Sequence, residues 1–155
     1  MSFDQERLAF ELTLAARMGL AALLGFLVGL ERESRGKSAG ERTFAIVALA
    51  ASGFAGVAIT VFPETVGQAV AGVATGIGFL GVGIIWRAEE GQARGLTTAA
   101  SIFGVAAIGV VTGVGLYLTA VLATVIVLLL LEFDHIPALM RLHRRFSKDD
   151  EASEG

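Results

Sequence analysis

A chain of 155 residues that is 54% hydrophobic and only 17% charged, with a mean hydropathy of +0.71, departs from the soluble balance of about 45–50% apolar and about 25% charged. Lipid rather than water is the expected solvent. The absence of cysteine excludes a disulfide scaffold and a thiolate metal site; the net charge of −3 says little, because position matters more than sum in a membrane protein, and no nucleic-acid partner is expected.

The opening "MSFDQER" is acidic, and the apolar stretch after it is too long for the core of a cleavable signal peptide. Residues 8–30 read as a first membrane span of roughly 34 Å, interrupted by Glu11 and Arg17. Uncharged runs then cover Thr43–Pro63, Thr65–Trp86 and Gly95–Leu131, of 21, 22 and 37 residues. Each exceeds the roughly 18 apolar residues that mark a spanning helix. They place a second span at 43–62, ended by Pro63, and a third at 69–86, with Trp86 and Arg87 at the interface. The last run would measure roughly 55 Å as a single helix, against a hydrocarbon thickness of about 30 Å. It therefore folds back at "TGVG", giving spans at 96–112 and 114–131. The expected fold is all-α: a polytopic membrane helix bundle with about five transmembrane helices, filling residues 1–133.

Basic residues give the orientation. Arg32, Arg35, Lys37 and Arg42, then Arg87 and Arg94, then Arg141, Arg144, Arg145 and Lys148 make ten on one side, against Arg7 on the other. The positive-inside rule puts the N-terminus outside and the C-terminus in the cytoplasm. Residues 134–155 are expected to form a cytoplasmic tail. It carries a short basic amphipathic helix from Pro137 to Phe146, lying in the headgroup plane, and ends in the acidic "DDEASEG".

Gly76, Gly78 and Gly81 have the spacing of a dinucleotide-binding turn. They lie inside a span, where a phosphate cradle would expose ions and open backbone to hydrocarbon, so that reading fails. "GKS" at Gly36 is no phosphate loop either, because Glu31 stands where its first glycine belongs. What remains is close helix packing through small residues four apart. Ala21, Gly25 and Gly29 offer such a stripe, as do Ala48, Ser52, Gly56 and Thr60, then Gly72 and Gly76, then Gly109 and Gly113. The third span, with Gly72, Gly76, Gly78, Gly81 and Gly83, is the expected central helix. The competing reading of these glycines is a broken helix lining an ion path.

Arg17 is the charge that most needs explaining, since an arginine inside a span costs at least about 2.5–3.5 kcal/mol unless paired or hydrated. It shares a face with Thr13, Ala21, Leu24 and Val28, while Glu11 falls about 120° away. Arg17 is expected to bond carbonyls or hydroxyls of another span, with a gate or an anion contact as the alternative. In "GLERESRGKSAGERTF" the acids Glu31, Glu33 and Glu41 invite a magnesium reading. Arg32, Arg35, Lys37 and Arg42 stand among them, so ion pairing that holds the loop is preferred and no metal site is assigned. Thr97 or Thr98 is expected to cap the fourth span and Ser101 to bond a neighbour. His135 and His143 fall in the tail as interfacial residues. No residue is assigned a catalytic role, and no cofactor is expected.

Four ordered blocks, "FLVGLERE", "GKSAGERTF", "GIGFLGVGII" and "GLTTAASIFGVAAIGVVTGVGLY", resemble the signature of the MgtC/SapB family. The resemblance implies a bacterial inner-membrane protein of about five spans associated with magnesium homeostasis and, in some members, with virulence and restraint of the F-type ATP synthase. It carries family motif positions onto Glu31, Arg32, Glu33, Ala39, Gly40, Arg42, Thr43, Gly76, Gly78, Phe79, Gly81, Gly83, Gly95, Leu96, Thr97 and Thr98. Glu41 replaces a usual leucine and Phe103 a common tryptophan. The tail is too short for the soluble C-terminal domain of the virulence-associated branch, so the shorter branch is the closer match.

The resulting expectation is a non-enzymatic regulator or accessory in ion homeostasis, acting in the bilayer through contact with a membrane-protein partner or a second copy. The alternative is a transporter or channel for Mg²⁺ or another ion, with a path along the third span past Arg17 and the hydroxyls of the fourth.

Overall fold

The computed structural model describes residues 3–86 and 94–132, Arg94 by its backbone alone. The tail helix expected from Pro137 to Phe146, the acidic end, both histidines and Arg87 lie outside the described residues. Within them the chain forms α1 (Phe3–Ser34), α2 (Glu41–Val61), a 3-10 turn at Pro63–Thr65, α3 (Val66–Trp86), α4 (Arg94–Gly113) and α5 (Tyr117–Glu132). No strand occurs among the described residues. The protein is an all-α membrane helix bundle. The first four helices are long and apolar enough to cross a bilayer, and α5 is a shorter apolar helix. At 32 residues, α1 is about 48 Å long, well beyond the hydrocarbon and longer than the span expected to begin at residue 8.

Local chemistry sets the helix ends. Gly36 and Gly115 hold φ of 63° and 92°, the left-handed conformation glycine adopts without a Cβ clash. After α1, Gly36 N–H donates to Glu33 O at 2.9 Å and Lys37 N–H to Arg32 O at 3.1 Å. After α4, Gly115 N–H donates to Thr112 O at 3.0 Å and Leu116 N–H to Val111 O at 2.8 Å. Both are Schellman ends, which satisfy carbonyls the helix leaves free. The fold-back foreseen at "TGVG" is the second of them, and α5 starts three residues later than expected, at Tyr117. Pro63 stops α2 by lacking an N–H and by turning Phe62 out of helical conformation, to φ −133° and ψ 56°.

Successive helices run antiparallel. The basic end of the bundle carries the end of α1, the start of α2 and the end of α5; the opposite end carries the α4–α5 turn. Small residues set the core. A Cβ on Gly25 would sit 2.5 Å from Phe44 O and 2.8 Å from Ala48 Cβ, and one on Gly29 would strike the Glu41 backbone. On the other side of α2, a Cβ on Gly109 would strike Ala48 O and one on Gly113 would strike Ser52 O. Thus α2 touches α1 and α4 at nearly the same level. Phe44, Val28, Ile102, Val105 and Ile108 fill the space around these crossings.

The centre of the bundle is formed by α2 and α4, not by α3. Of the most apolar stretch, 44% is buried in α2 and 50% in α4, against 11% in the segment holding α3. Gly72, Gly76, Gly78 and Gly83 have open space where a side chain would stand, and Gly81 meets only Ala99 at an ordinary 3.6 Å. Only Ile77 and Gly81 of α3 are buried. Glycines spread around a helix permit close approach on any face, but contact also needs matching small residues opposite. Gly25, Gly109 and Gly113 have them on α2 in Ala48, Ala51 and Ser52, and Gly29 lies against the Glu41 backbone, whereas the glycines of α3 meet α4 only through Gly81 beside Ala99.

Candidate functional site

Three places draw the candidate residues together. At the basic end, Glu31 lies between two arginines. Arg35 Nε is 2.6 Å from its Oε1 and Arg32 Nη1 is 3.4 Å from its Oε2. Neither contact has hydrogen-bond alignment, so both Glu31 oxygens and Arg32 Nε lack a hydrogen-bond partner despite their burial. Arg35 also donates to Glu132 Oε1 at 2.5 Å. This hydrogen bond, above all, raises the Arg35 guanidinium pKa above its ordinary value, reinforced by the charges of Glu132 and Glu31 and opposed by desolvation. The first turn of the bundle is thereby tied to its last described helix.

Glu33 has a different task. Its Oε2 accepts the Glu41 N–H at 3.3 Å, placing a carboxylate at the positive start of α2. Gly40 makes room, since a Cβ there would fall on that carboxylate. Glu33, Gly40, Glu41, Arg42 and Thr43 line a depression of about 350 Å³, with Arg42 and Thr43 exposed and Arg42 Nε 3.6 Å from Glu41 Oε1. Glu31, Glu33 and Glu41 thus face different partners, and no metal-holding group of three acids or histidines occurs among the described residues.

At the opposite end, Arg17 Nη1 donates to Gly113 O at 2.8 Å and Nε to Tyr117 Oη at 3.1 Å. A carbonyl and a hydroxyl from other helices are the kinds of partner the sequence suggested. Arg17 is less deep than expected, however: it is level with the α4–α5 turn, because α1 starts at Phe3 and runs farther out. Glu11 instead accepts from Arg7 Nε at 3.0 Å. Ala21, Leu24 and Val28, on the same face as Arg17, are buried.

The third place is the outer surface of α3. Gly72 and Gly76, with Ala69, Val73, Ile77 and Leu80, form one wall of an apolar groove of about 490 Å³, and Ile46, Ala50 and Phe54 of α2 form the other. Gly78 and Gly83 lie outside this groove on exposed faces. The described hydrogen bonds of Arg17 go to the α4 end and to α5 rather than to α3.

The fourth helix requires two corrections. It begins at Arg94, so Thr97 and Thr98 lie within its first turns rather than at its cap. Ser101 donates to Thr98 O of its own helix at 2.9 Å, not to a neighbouring span. Thr97 is exposed and Thr98 buried. Sequence reasoning missed Tyr117 and Glu132 as partners, since nothing local signals a contact across 100 or 97 residues.

Comparison with known proteins gives one consistent result. Residues 18–136 match the MgtC family. Protein MgtC of Salmonella typhimurium strain LT2 is 45% identical over 108 residues, covering 70% of this chain and 46% of the relative. Protein SrpB of Synechococcus elongatus is 38% identical over 134 residues, 77% of this chain and 74% of the relative. Protein SapB of Bacillus subtilis is 33% identical over 126 residues, 76% of this chain and 54% of the relative. The chain spans about half the length of the Salmonella relatives. No solved structure matches it.

Proposed function

The chain belongs to the MgtC family, and on that footing we propose that it serves magnesium homeostasis in a bacterial inner membrane as a non-enzymatic regulator or accessory of a membrane complex. Its N-terminus is outside and its basic end cytoplasmic, the orientation favoured by the charge bias of the loops. The observation that carries the reading is the unequal use of small residues. Gly25, Gly29, Gly56, Gly109 and Gly113 of α1, α2 and α4 are consumed within the bundle, while Gly72 and Gly76 remain open beside a groove. In lipid, where apolar surface alone drives no association, such a stripe lets another helix's backbone approach closely. The occupant is a spanning helix of a partner or of a second copy.

The charges inside the helices support regulation over conduction. Glu11 is held by Arg7, and Arg17 repels cations from the end of the bundle it occupies. The test is Mg²⁺ entry into proteoliposomes. The expected result is flux equal to that of empty vesicles; flux abolished by Arg17→Gln or Glu31→Gln would replace this reading with a transporter.

A further inference from the structure

Arg17 is the one arginine, among those whose side chains are described, that has no carboxylate beside it. Arg7, Arg32, Arg35 and Arg42 have one at 3.0, 3.4, 2.6 and 3.6 Å. Arg17 also lines a recess of about 250 Å³, shared with Ala9, Phe10, Thr13, Leu14, Gly56 and Thr60. No acid is among these residues.

A guanidinium has five N–H donors. The bonds to Gly113 O and Tyr117 Oη use the Nε hydrogen and one Nη1 hydrogen, leaving three without a partner among the described residues. The Thr60 hydroxyl is likewise free, whereas that of Thr13 is committed to Ala9 O at 2.7 Å. The two bonds already made fix the plane of the guanidinium, so its fork is preorganised rather than mobile. A half-buried, uncompensated positive charge beside lipid favours an anion, and a planar fork of parallel donors matches an oxyanion better than a halide. The volume accommodates several waters or one small oxyanion with its nearest waters.

We propose that this recess binds a phosphate-class oxyanion, held by the free edge of Arg17 and the Thr60 hydroxyl, at the opposite end of the bundle from the ion-paired loop. The site does not depend on the α3 groove, so it stands or falls separately from the regulatory reading. Two sources supply the chemistry: free inorganic phosphate and the phosphate of a lipid headgroup.

The test uses the full chain in a maltoside detergent, which contains no phosphate, with the thermal unfolding midpoint as readout. One arm adds inorganic phosphate at ionic strength matched with chloride. The other adds phosphatidylglycerol, with the corresponding diacylglycerol as control. A ligand well above its Kd is expected to raise Tm by at least about 3 °C in one arm or both, which identifies the source. Arg17→Gln should abolish the rise. Because that variant also loses the Gly113 and Tyr117 bonds, Thr60→Leu is the second variant: it fills the recess, leaves those bonds in place and should reduce the rise by half or more. No rise in either arm, a rise equalled by chloride or by diacylglycerol, or a rise undiminished in Thr60→Leu overturns the site.

Discussion

Gly109 stands so close to Ala48 that no methyl group fits between α4 and α2. Small side chains here are a condition of the fold rather than a bias of composition. Since Ala48 also meets Gly25, one position on α2 sets the approach of two neighbours.

Adding a methyl at this crossing should therefore destabilise the bundle. Gly109→Ala and Gly113→Ala are each expected to cost about 1–3 kcal/mol, the range for overpacking a tight core, because the obstructing atoms are backbone. Gly76→Ala, with nothing within 4 Å, should stay within about 0.5 kcal/mol of wild type or gain slightly from helix propensity. Unfolding of the three variants in mixed micelles checks the contrast.

The Arg17 bond to Tyr117 predicts a measurable coupling between helices far apart in sequence. Tyr117→Phe should cost about 0.5–1.5 kcal/mol. Combined with Arg17→Gln in a double-mutant cycle, it should show a favourable interaction of about 1 kcal/mol. Hydrogen exchange at Gly115 and Leu116 should quicken in the arginine variant, because Gly113 O loses its partner at the α4–α5 turn.

Arg35 and Glu132 offer a second cycle, at the other end. With 20% and 50% of their side chains exposed, they are partly screened, and a small favourable coupling, weakened by added salt, is expected. The pH dependence follows from the raised pKa of Arg35. Stability linked to its proton is fully present below the ordinary arginine value and is lost only as pH rises through the higher folded value. Repeating the cycle between about pH 7 and 9 should thus show no loss attributable to Arg35.

Gly115 is held by conformation as well as by space. Gly115→Ala should destabilise by about 1 kcal/mol or more, since its φ is 92° and an added Cβ would lie 3.2 Å from Arg17 Nη2. Gly36→Ala tests φ alone, because nothing crowds that position. The smaller of the two losses is expected there, measured in the same unfolding series.

Much of the architecture was legible because hydrocarbon imposes a simple rule: long uncharged runs cross, and the fold-back must occur where a glycine permits it. Thr112–Gly115 satisfied both demands. The rank of the helices was not legible. Six glycines on α3 outnumber the two at the core of α4, yet Gly109 and Gly113 stand hard against Ala48 and Ser52, whereas on α3 Gly81 alone meets a neighbour, Ala99, at ordinary contact distance. At the ion-paired loop, the presence of arginines among Glu31, Glu33 and Glu41 correctly indicated charge pairing. The division of labour was hidden, because Glu33 capping α2 and Arg35 reaching Glu132 depend on tertiary placement. Ser101 misled for a related reason, since its hydroxyl is taken by a carbonyl of its own helix, that of Thr98.

The central claim is that the open glycine face of α3 exists for contact with another helix, and Gly76→Leu tests it most directly. Purified in mild detergent, this variant should unfold within about 1 °C of wild type, since it has room, yet lose the partner or second copy that co-elutes with the unaltered chain. A variant that retains the same assembly, or that unfolds before assembly can be assessed while Gly109→Leu does not, would contradict the account.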